Sequence, residues 1–139
     1  MKNKGIFVIQ KHHATQVHFD FRLEFQGVLK SWAIPKGLSK QTKDKRLGIQ
    51  TVDHVLEYGS FEGEIPQGQY GAGKVKIWDK GEYINIRCDD TGKLVSLRRC
   101  FEEGHLEIWL EGSRYHGGYA IIRLKEAQWL FIKMRDDKL

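Results

Sequence analysis

Polar and apolar residues alternate strictly along residues 18–25. The apolar positions hold three Phe and one Leu, and the polar positions between them hold His18, Asp20, Arg22 and Glu24. Because successive side chains of a strand point to opposite faces, this pattern predicts a β-strand over Val17–Phe25 with one face packed in a core. The other face presents an imidazole, a carboxylate and a guanidinium in a row.

Short apolar segments separated by turn residues fill the rest of the chain. A first strand is predicted over Gly5–Lys11, and a hairpin turn at Gln26-Gly27 leads to a return strand over Val28–Ile34, which Pro35 ends. The later predicted strands are Leu47–Val52, Lys74–Trp78, Tyr83–Arg87, Leu94–Phe101, His105–Leu110, Tyr119–Leu124 and Trp129–Met134. A turn is predicted at residues 79–81, and a loop is predicted over residues 112–118. Many short strands with turn signals between them predict an all-β, mainly antiparallel fold, either a sandwich or a barrel.

Length and composition narrow the class of protein. At 139 residues the chain is expected to form a single domain, residues 1–139, with residues 135–139 fraying at the end. No apolar run approaches the roughly 18 residues of a membrane span, and the first residues lack a signal-peptide core. Cys88 and Cys100 follow no disulfide or zinc pattern, so we expect reduced thiols and a cytoplasmic location. The net charge of +5 favours a polyanionic partner, and nothing in the sequence requires more than a monomer.

Two histidines and one aspartate form the first candidate site. His18 and Asp20 share one strand face, and His12 lies six residues upstream, within reach of a turn or an adjacent strand. Such ligands hold divalent first-row metals with positions left open for water or substrate. Arg22 beside them offers a planar fork that fits the oxygens of a phosphate or a carboxylate. The alternative interpretation is a polar strand face that contains histidine without binding metal.

Further candidate anion-binding residues lie at strand ends and turns of the first half. Lys36 stands in a Pro-Lys-Gly turn, and Arg46 begins the strand Leu47–Val52. His54 and Tyr58 follow that strand, where functional side chains often lie. A barrel mouth would collect groups placed in this way.

Two other segments carry charge or glycine without a clear chemical pattern. Residues 39–46 are polar and mostly basic, and Lys40, Lys43 and Lys45 are interpreted as part of a solvated surface loop. The glycine-rich segment Ser60–Gly73 lacks both the Gly-Lys-Ser/Thr and the following helix of a nucleotide-binding loop. It is therefore interpreted as tight turns and bulges at a barrel corner.

Several motifs in fixed order resemble a known family. They are His12-x5-His18-x-Asp20-x-Arg22-Leu-Glu, Val28-Leu-Lys-Ser-Trp-Ala-Ile-Pro-Lys36-Gly, Asp53-His54-x-Leu-Glu-Tyr58-Gly-Ser-Phe-Glu-Gly-Glu-Ile-Pro, and a closing Trp-Leu-Phe-Ile-Lys. Together they closely resemble the 3′-phosphoesterase domain of bacterial DNA ligase D over nearly the whole chain. The resemblance implies a single small β-barrel with a metal and phosphate site at its mouth.

The resemblance also implies roles for eight residues. They are the metal ligands His12, His18 and Asp20, the catalytic and phosphate-contacting residues Arg22, His54 and Tyr58, and the further basic catalytic residues Lys36 and Arg46. The implied metal is Mn²⁺, with Co²⁺ or Zn²⁺ as alternatives.

The implied activity is the trimming of DNA 3′ ends. Family members remove a terminal ribonucleoside to leave a 3′-phosphate, and then remove that phosphate to leave a 3′-OH. The implied partners are primer-template 3′ ends and the ligase and polymerase of non-homologous end joining. Because no Cys or Ser stands in a nucleophile context, we expect direct attack by water or a 2′-hydroxyl. His54 is expected either to protonate the leaving oxygen or to stabilise charge.

The sequence departs from the family pattern at three places. Val52 stands where the family commonly has an acidic residue, and Val55 stands where Pro is usual. The ligases also carry a segment before the first strand, whereas this sequence starts almost at that strand. We therefore expect phosphate removal to be better retained than ribonucleoside removal.

Two other functions fit parts of the pattern. His18-x-Asp20 with a distant histidine is typical of non-haem iron dioxygenases, some of which are small barrels. A non-catalytic nucleic-acid-binding barrel would show exposed aromatic residues among Lys and Arg. Most aromatic residues here occupy core-facing positions, and one carboxylate cosubstrate would not need so many anion-binding residues.

Overall fold

A computed structural model describes residues 3–136 of the protein. Its strands are β1 (Lys4–His13), β2 (Val17–Phe25), β3 (Val28–Ile34), β4 (Lys45–Val55), β5 (Gly63–Ile65), β6 (Gly73–Asn85), β7 (His105–Gly112), β8 (His116–Lys125) and β9 (Gln128–Lys133). A 3₁₀ helix, Leu56–Ser60, follows β4, and an α-helix, α1 (Leu97–Glu103), precedes β7. Within residues 3–136, no helix is long and apolar enough to cross a membrane.

Eight strands form a closed ring. Their order is β1-β2-β3-β4-β9-β8-β7-β6, and antiparallel pairing of β1 with β6 closes it. The short strand β5 pairs with the start of β6 outside the ring. The predicted all-β, antiparallel barrel is confirmed.

The interior of the barrel is filled by the apolar side chains that alternate with the polar ones. Phe21 of β2 lies 5.5 Å from the ring of Phe131, and Trp32 of β3 lies 5.4 Å from the ring of Trp129. Leu23 and Ile9 belong to the same buried cluster. The alternation in β2 therefore correctly predicts which side of the strand faces the core.

The predicted strand over Leu94–Phe101 is wrong, because residues 97–103 form α1. The Ser96 side chain caps the helix by accepting a hydrogen bond from the backbone N–H of Arg99 (3.2 Å), and Gly104 ends it with a φ of 68°. The helix is seven residues long. Two turns are too few for a 3.6-residue period to stand out against alternation.

The predicted turn at residues 79–81 is also wrong, because β6 continues through it. Its Asp79 carboxylate accepts backbone hydrogen bonds from Ser113 (2.9 Å), Arg114 (3.1 Å) and Tyr115 (2.8 Å). The aspartate thus fixes the β7–β8 connection instead of making a turn of its own.

The segment 116–118, predicted as loop, likewise belongs to β8. Of the predicted frayed tail, residues 137–139 lie outside the described part of the chain.

Candidate active site

The polar residues that alternate with core residues on β2 face away from the core. Asp20 and Arg22 alternate with the core residues Phe21 and Leu23, yet their side chains are buried, at 8% and 3% exposure. The resemblance implied a site at the barrel mouth; the polar groups instead lie along the outer wall. They are buried there because the 3₁₀ helix and residues 61–72 cover this part of the wall.

The covered wall forms a pocket of about 600 Å³. Six of the eight predicted site residues line it. The full lining is His12, Ala14, Thr15, His18, Asp20, Arg22, Thr51, His54, Tyr58, Ile65, Tyr70, Gly71 and Ala72.

Strand pairing brings the three candidate metal ligands together. A turn of three residues joins β1 to β2, so that His12 stands directly opposite His18. The carboxylate of Asp20 lies 3.4 Å from His12 Nδ1 and 3.1 Å from His18 Nε2. One ligand atom from each residue lies within 4.8 Å of the other two.

A backbone carbonyl orients the His12 imidazole toward the carboxylate. His12 Nε2 lies 3.1 Å from the carbonyl oxygen of Ala72. Since a carbonyl can only accept, His12 Nε2 carries the proton of this contact, and His12 Nδ1 is the nitrogen that faces Asp20. Histidine ligands of metals are commonly held by such outer hydrogen bonds. The donor set of two nitrogens and one carboxylate therefore fits a divalent first-row metal.

Charges around Asp20 and His18 favour their ionised forms. Burial alone would raise the pKa of the Asp20 carboxyl, but its hydrogen bond with His18 and the charge of Arg22 lower that pKa below its ordinary value. The same hydrogen bond raises the pKa of the His18 imidazole, and this outweighs the opposing effect of burial.

Arg22 connects the metal cluster to the second half of the pocket. Its Nη2 lies 3.5 Å from Asp20 Oδ2, and its Nη1 lies 3.1 Å from His54 Nδ1. The guanidinium also packs over the Tyr58 ring at 4.9 Å, and its Nε donates a 2.6 Å hydrogen bond to Gln10 Oε1. The planar fork of Arg22 is thus held by four neighbouring side chains.

His54 and Tyr58 complete this half of the pocket. Their rings are 4.9 Å apart, and His54 Nδ1 lies 2.9 Å from the carbonyl oxygen of Val52. Burial and the adjacent charge of Arg22 lower the pKa of the His54 imidazole. Burial raises the pKa of the Tyr58 phenol, so Tyr58 keeps its hydroxyl proton and can donate it in a hydrogen bond.

Comparison with protein families decides the assignment. The family model of the DNA ligase D 3′-phosphoesterase domain matches residues 10–123. The chain belongs to this family. The family predicted from the motifs is confirmed, and with it the class of enzyme, a phosphoesterase. Membership gives no support to the iron dioxygenase or to the non-catalytic binding barrel.

The phosphoesterase chain is similar to parts of much longer proteins. It is 44% identical over 134 residues to the multifunctional non-homologous end joining protein LigD of Pseudomonas aeruginosa, which covers 94% of the chain. It is 46% identical over 132 residues to the multifunctional non-homologous end joining DNA repair protein LigD of Mycobacterium tuberculosis, which covers 95% of it. The chain spans only 15% and 16% of the lengths of these two relatives.

Two of the predicted phosphoesterase residues do not line the pocket. Lys36 is exposed, and Arg46 Nη1 donates a 2.9 Å hydrogen bond to the Lys36 carbonyl. Both lie at the end of the barrel where β2 begins, because Ile34 pairs with Phe19. Their catalytic role stays a prediction.

Gln10 is the pocket-supporting residue that sequence reasoning missed. It is fully buried, and its Nε2 donates to the carbonyl oxygens of Tyr58 (2.8 Å) and Phe61 (3.2 Å). One side chain therefore holds both Arg22 and the segment that carries Tyr58. Its place two residues before His12, on the same strand face, was the available signal.

Replacing Gln10 by leucine is expected to weaken the fold and the reaction together. The change leaves the partly buried Phe61 carbonyl and Arg22 Nε without this partner, while the Tyr58 carbonyl keeps only the Phe61 N–H, so we expect a loss of roughly 1–3 kcal/mol in the free energy of unfolding. Turnover should fall as Arg22 loses its fixed orientation. Urea unfolding and steady-state kinetics measure the two effects, and Gln41→Leu, at an exposed glutamine, is the control. Unchanged stability and turnover in Gln10→Leu would contradict this role.

Proposed function

We propose that the protein is a Mn²⁺-dependent phosphoesterase that removes the phosphate from DNA 3′ ends and leaves a 3′-OH. One observation carries the proposal. The Asp20 carboxylate belongs at once to the candidate metal cluster and to the environment of Arg22, so that a metal and a phosphate clamp would share one pocket. The two relatives are proteins of non-homologous end joining, which supports DNA ends as the substrate.

Charge neutralisation on the phosphate is the main task of such a site. A Mn²⁺ ion held by His12, His18 and Asp20 would supply Lewis-acid charge at a phosphate oxygen. Arg22 binds other non-bridging oxygens through its two Nη groups, and Tyr58 donates one hydrogen bond.

His54 acts on the leaving oxygen, in either of two ways. A protonated His54 would use Nδ1 to donate to the Val52 carbonyl, which leaves its Nε2–H for the leaving oxygen. The lowered pKa of His54 limits the protonated fraction, and the approach of an anionic phosphate reverses that effect. In the alternative, His54 only stabilises charge.

The donor set leaves Co²⁺ and Zn²⁺ as alternatives to Mn²⁺, because two imidazoles and a carboxylate suit each of these ions. We further propose that ribonucleoside removal is the weaker activity. The position before Asp53 holds Val52, whose exposed side chain brings no carboxylate to the neighbourhood of His54.

We also propose the setting in which the enzyme works. Its 3′-OH product is what a ligase and a polymerase of end joining need, and both longer relatives are described as multifunctional. We propose a single domain over residues 1–139, acting as a monomer in the cytoplasm. The two free cysteines, Cys88 and Cys100, are consistent with a reducing compartment.

Metal affinity is expected to fall as the pH is lowered. A histidine ligand must be deprotonated to bind metal, and hydrogen bonding to Asp20 raises the pKa of His18 above its ordinary value of 6.5. Protons therefore begin to compete for His18 above pH 6.5, and below its pKa the Kd for Mn²⁺ should rise about tenfold per pH unit. Calorimetric titration across this range measures the Kd for Mn²⁺. His116→Gln, at a histidine outside the pocket, is the control. A pH-independent Kd would exclude His18 as a ligand.

The proposed function is tested with two primer-templates, one ending in a 3′-phosphate and one in a single ribonucleotide. Each is incubated with the protein in Mn²⁺ and in EDTA, and the products are resolved on a sequencing gel. We expect Mn²⁺-dependent conversion of the phosphate end to a 3′-OH and slower conversion of the ribonucleotide end. Binding of both ends without any conversion in Mn²⁺ would reject the enzyme and favour a DNA-binding barrel.

A further inference from the structure

Cations are concentrated at the end of the barrel where β1 ends and β2 begins. The β3–β4 connection and the first residues of β4 carry five cations, at positions 36, 40, 43, 45 and 46, and one acid, Asp44. Asp44 accepts a 2.7 Å hydrogen bond from the Ser39 hydroxyl, so it is already engaged within the loop.

This loop is fixed from the inside although its lysines are exposed. Its Lys43 backbone N–H donates to the Lys133 carbonyl (2.8 Å), and the Tyr119 hydroxyl donates to the Ser39 carbonyl (2.7 Å). Leu38 and Ser39 are buried. A loop that only covers the surface needs no such anchoring, whereas a loop that holds charged side chains in fixed positions does.

Two more cations beside the loop are held by aromatic rings instead of carboxylates. The Trp78 ring lies 3.5 Å from the Arg114 guanidinium carbon and 4.8 Å from Lys11 Nζ. Lys40 Nζ similarly lies 5.4 Å from the Tyr115 ring. Ring contacts restrict the positions of these groups without neutralising their charge.

The basic face is defined here as five residues, Lys11, Lys40, Lys43, Lys45 and Arg114. Within residues 3–136, none of the five forms a salt bridge. At the opposite end of the barrel, by contrast, Arg87 and Arg99 both pair with Glu103 at 2.6 Å, and Lys30 pairs with Asp53 at 3.0 Å. Exposed cations without a carboxylate partner occur at the opposite end too, such as Lys93, Arg98 and Lys125, but in the described part of the chain only the basic face combines them with a firmly anchored loop and aromatic rings.

The basic face is continuous with the pocket along β1 and β2. Lys11 directly precedes His12 and pairs with Phe19, which directly follows His18. Gly37 of the β3–β4 connection packs so closely on the Phe19 ring that an added Cβ would lie 2.9 Å from it. Two ligand residues of the pocket are therefore direct chain neighbours of residues at the basic face, whose side chains lie on the other face of each strand.

We propose that the basic face binds the sugar-phosphate backbone of the DNA whose 3′ end occupies the pocket. The inference rests on the proposed function for the identity of the polyanion, and it adds the surface that recognises it. Exposed cations set around aromatic rings are the features that nucleic-acid backbones bind. Phosphate contacts of this kind position the DNA and make its affinity depend on salt.

The test measures binding without requiring turnover. A fluorescent duplex with a 3′-OH end is titrated with the full chain in EDTA at several salt concentrations. The triple variant Lys40→Ala/Lys43→Ala/Arg114→Ala removes three charges from the basic face. The matched control, Lys93→Ala/Arg98→Ala/Lys125→Ala, removes three exposed charges from the other end of the barrel.

We expect the basic-face variant to lower the slope of log Kd against log salt by about 3 and to raise Kd at least about tenfold, while the control changes neither. The single variant Lys43→Ala, whose side chain is exposed, should lower the slope by about 1. Mn²⁺ affinity should stay unchanged in both triple variants, which would show that the pocket is intact.

Two results would overturn the proposal. Equal weakening in both triple variants would mean that net charge alone attracts DNA. Wild-type affinity in the basic-face variant would mean that the basic face does not bind DNA and that its partner is another polyanion, such as an acidic protein. Because DNA binding is measured without any reaction, the binding result can still be interpreted if the protein shows no phosphoesterase activity.

Discussion

Asp20→Ala is expected to lose Mn²⁺ binding and 3′-phosphate hydrolysis together. The Asp20 carboxylate is the group that both imidazoles face, at 3.1 and 3.4 Å, and Arg22 Nη2 lies 3.5 Å from it. Removing it takes away the only anionic ligand of the cluster. Since the loss of groups that merely support a metal ligand already costs 10–100-fold, we expect a loss of more than about 100-fold in both properties.

The measurement for Asp20 pairs calorimetric Mn²⁺ titration with phosphate release from a DNA 3′ end. Buried Arg22 would be left without its counter-charge, so the fold must be checked by thermal unfolding. Asp20→Asn keeps the shape of the side chain and serves as the second variant. Asp90→Ala, at an exposed aspartate, is the control for charge. Hydrolysis at the wild-type rate by either Asp20 variant would remove this residue from the active site.

Arg22→Ala is expected to lose 3′-phosphate hydrolysis while keeping Mn²⁺ binding. Turnover should fall at least about 100-fold, as when a positioned donor to a developing oxyanion is removed. Metal binding should stay at the wild-type level or become tighter, because a positive charge 3.5 Å from the Asp20 carboxylate is gone. Arg22→Lys keeps the charge but loses the planar fork and the 2.6 Å hydrogen bond to Gln10, so we expect only partial recovery.

The same two assays decide the role of Arg22. Loss of turnover with Mn²⁺ affinity retained supports a phosphate clamp. Near-normal turnover in Arg22→Ala would contradict that clamp. Loss of Mn²⁺ binding in Arg22→Lys as well as in Arg22→Ala would make Arg22 a support of the metal cluster instead.

The sequence predicts which side chains of β2 face the core better than it predicts what covers the candidate active site. Alternation in β2 separates Asp20 and Arg22 from the core, and the three-residue turn sets His12 opposite His18. The cover over these residues depends on contacts between distant parts of the chain. Gln10 reaches residues 48 and 51 positions away, and His12 reaches Ala72, 60 positions away. No local pattern encodes such contacts, so the outer-wall pocket was missed.

Two other differences also have physical causes. An amide such as Gln10 carries no charge and no metal-ligand signature, so only its place on the same strand face as His12 pointed to its support of Arg22. In α1, only Leu97 and Cys100 are buried, and two positions do not define a helical period. The capping pair Ser96 and Gly104 was the better signal for that helix.

The central claim is that the metal cluster and the phosphate clamp form one catalytic site. The most direct test is a Mn²⁺ titration of phosphate release from a primer-template with a 3′-phosphate, beside a Mn²⁺-binding titration under the same conditions. The account predicts that the two curves share one midpoint, that EDTA stops the reaction, and that His12→Ala shifts both curves together. Phosphate release that persists in EDTA, or that saturates while the cluster is unoccupied, would contradict it.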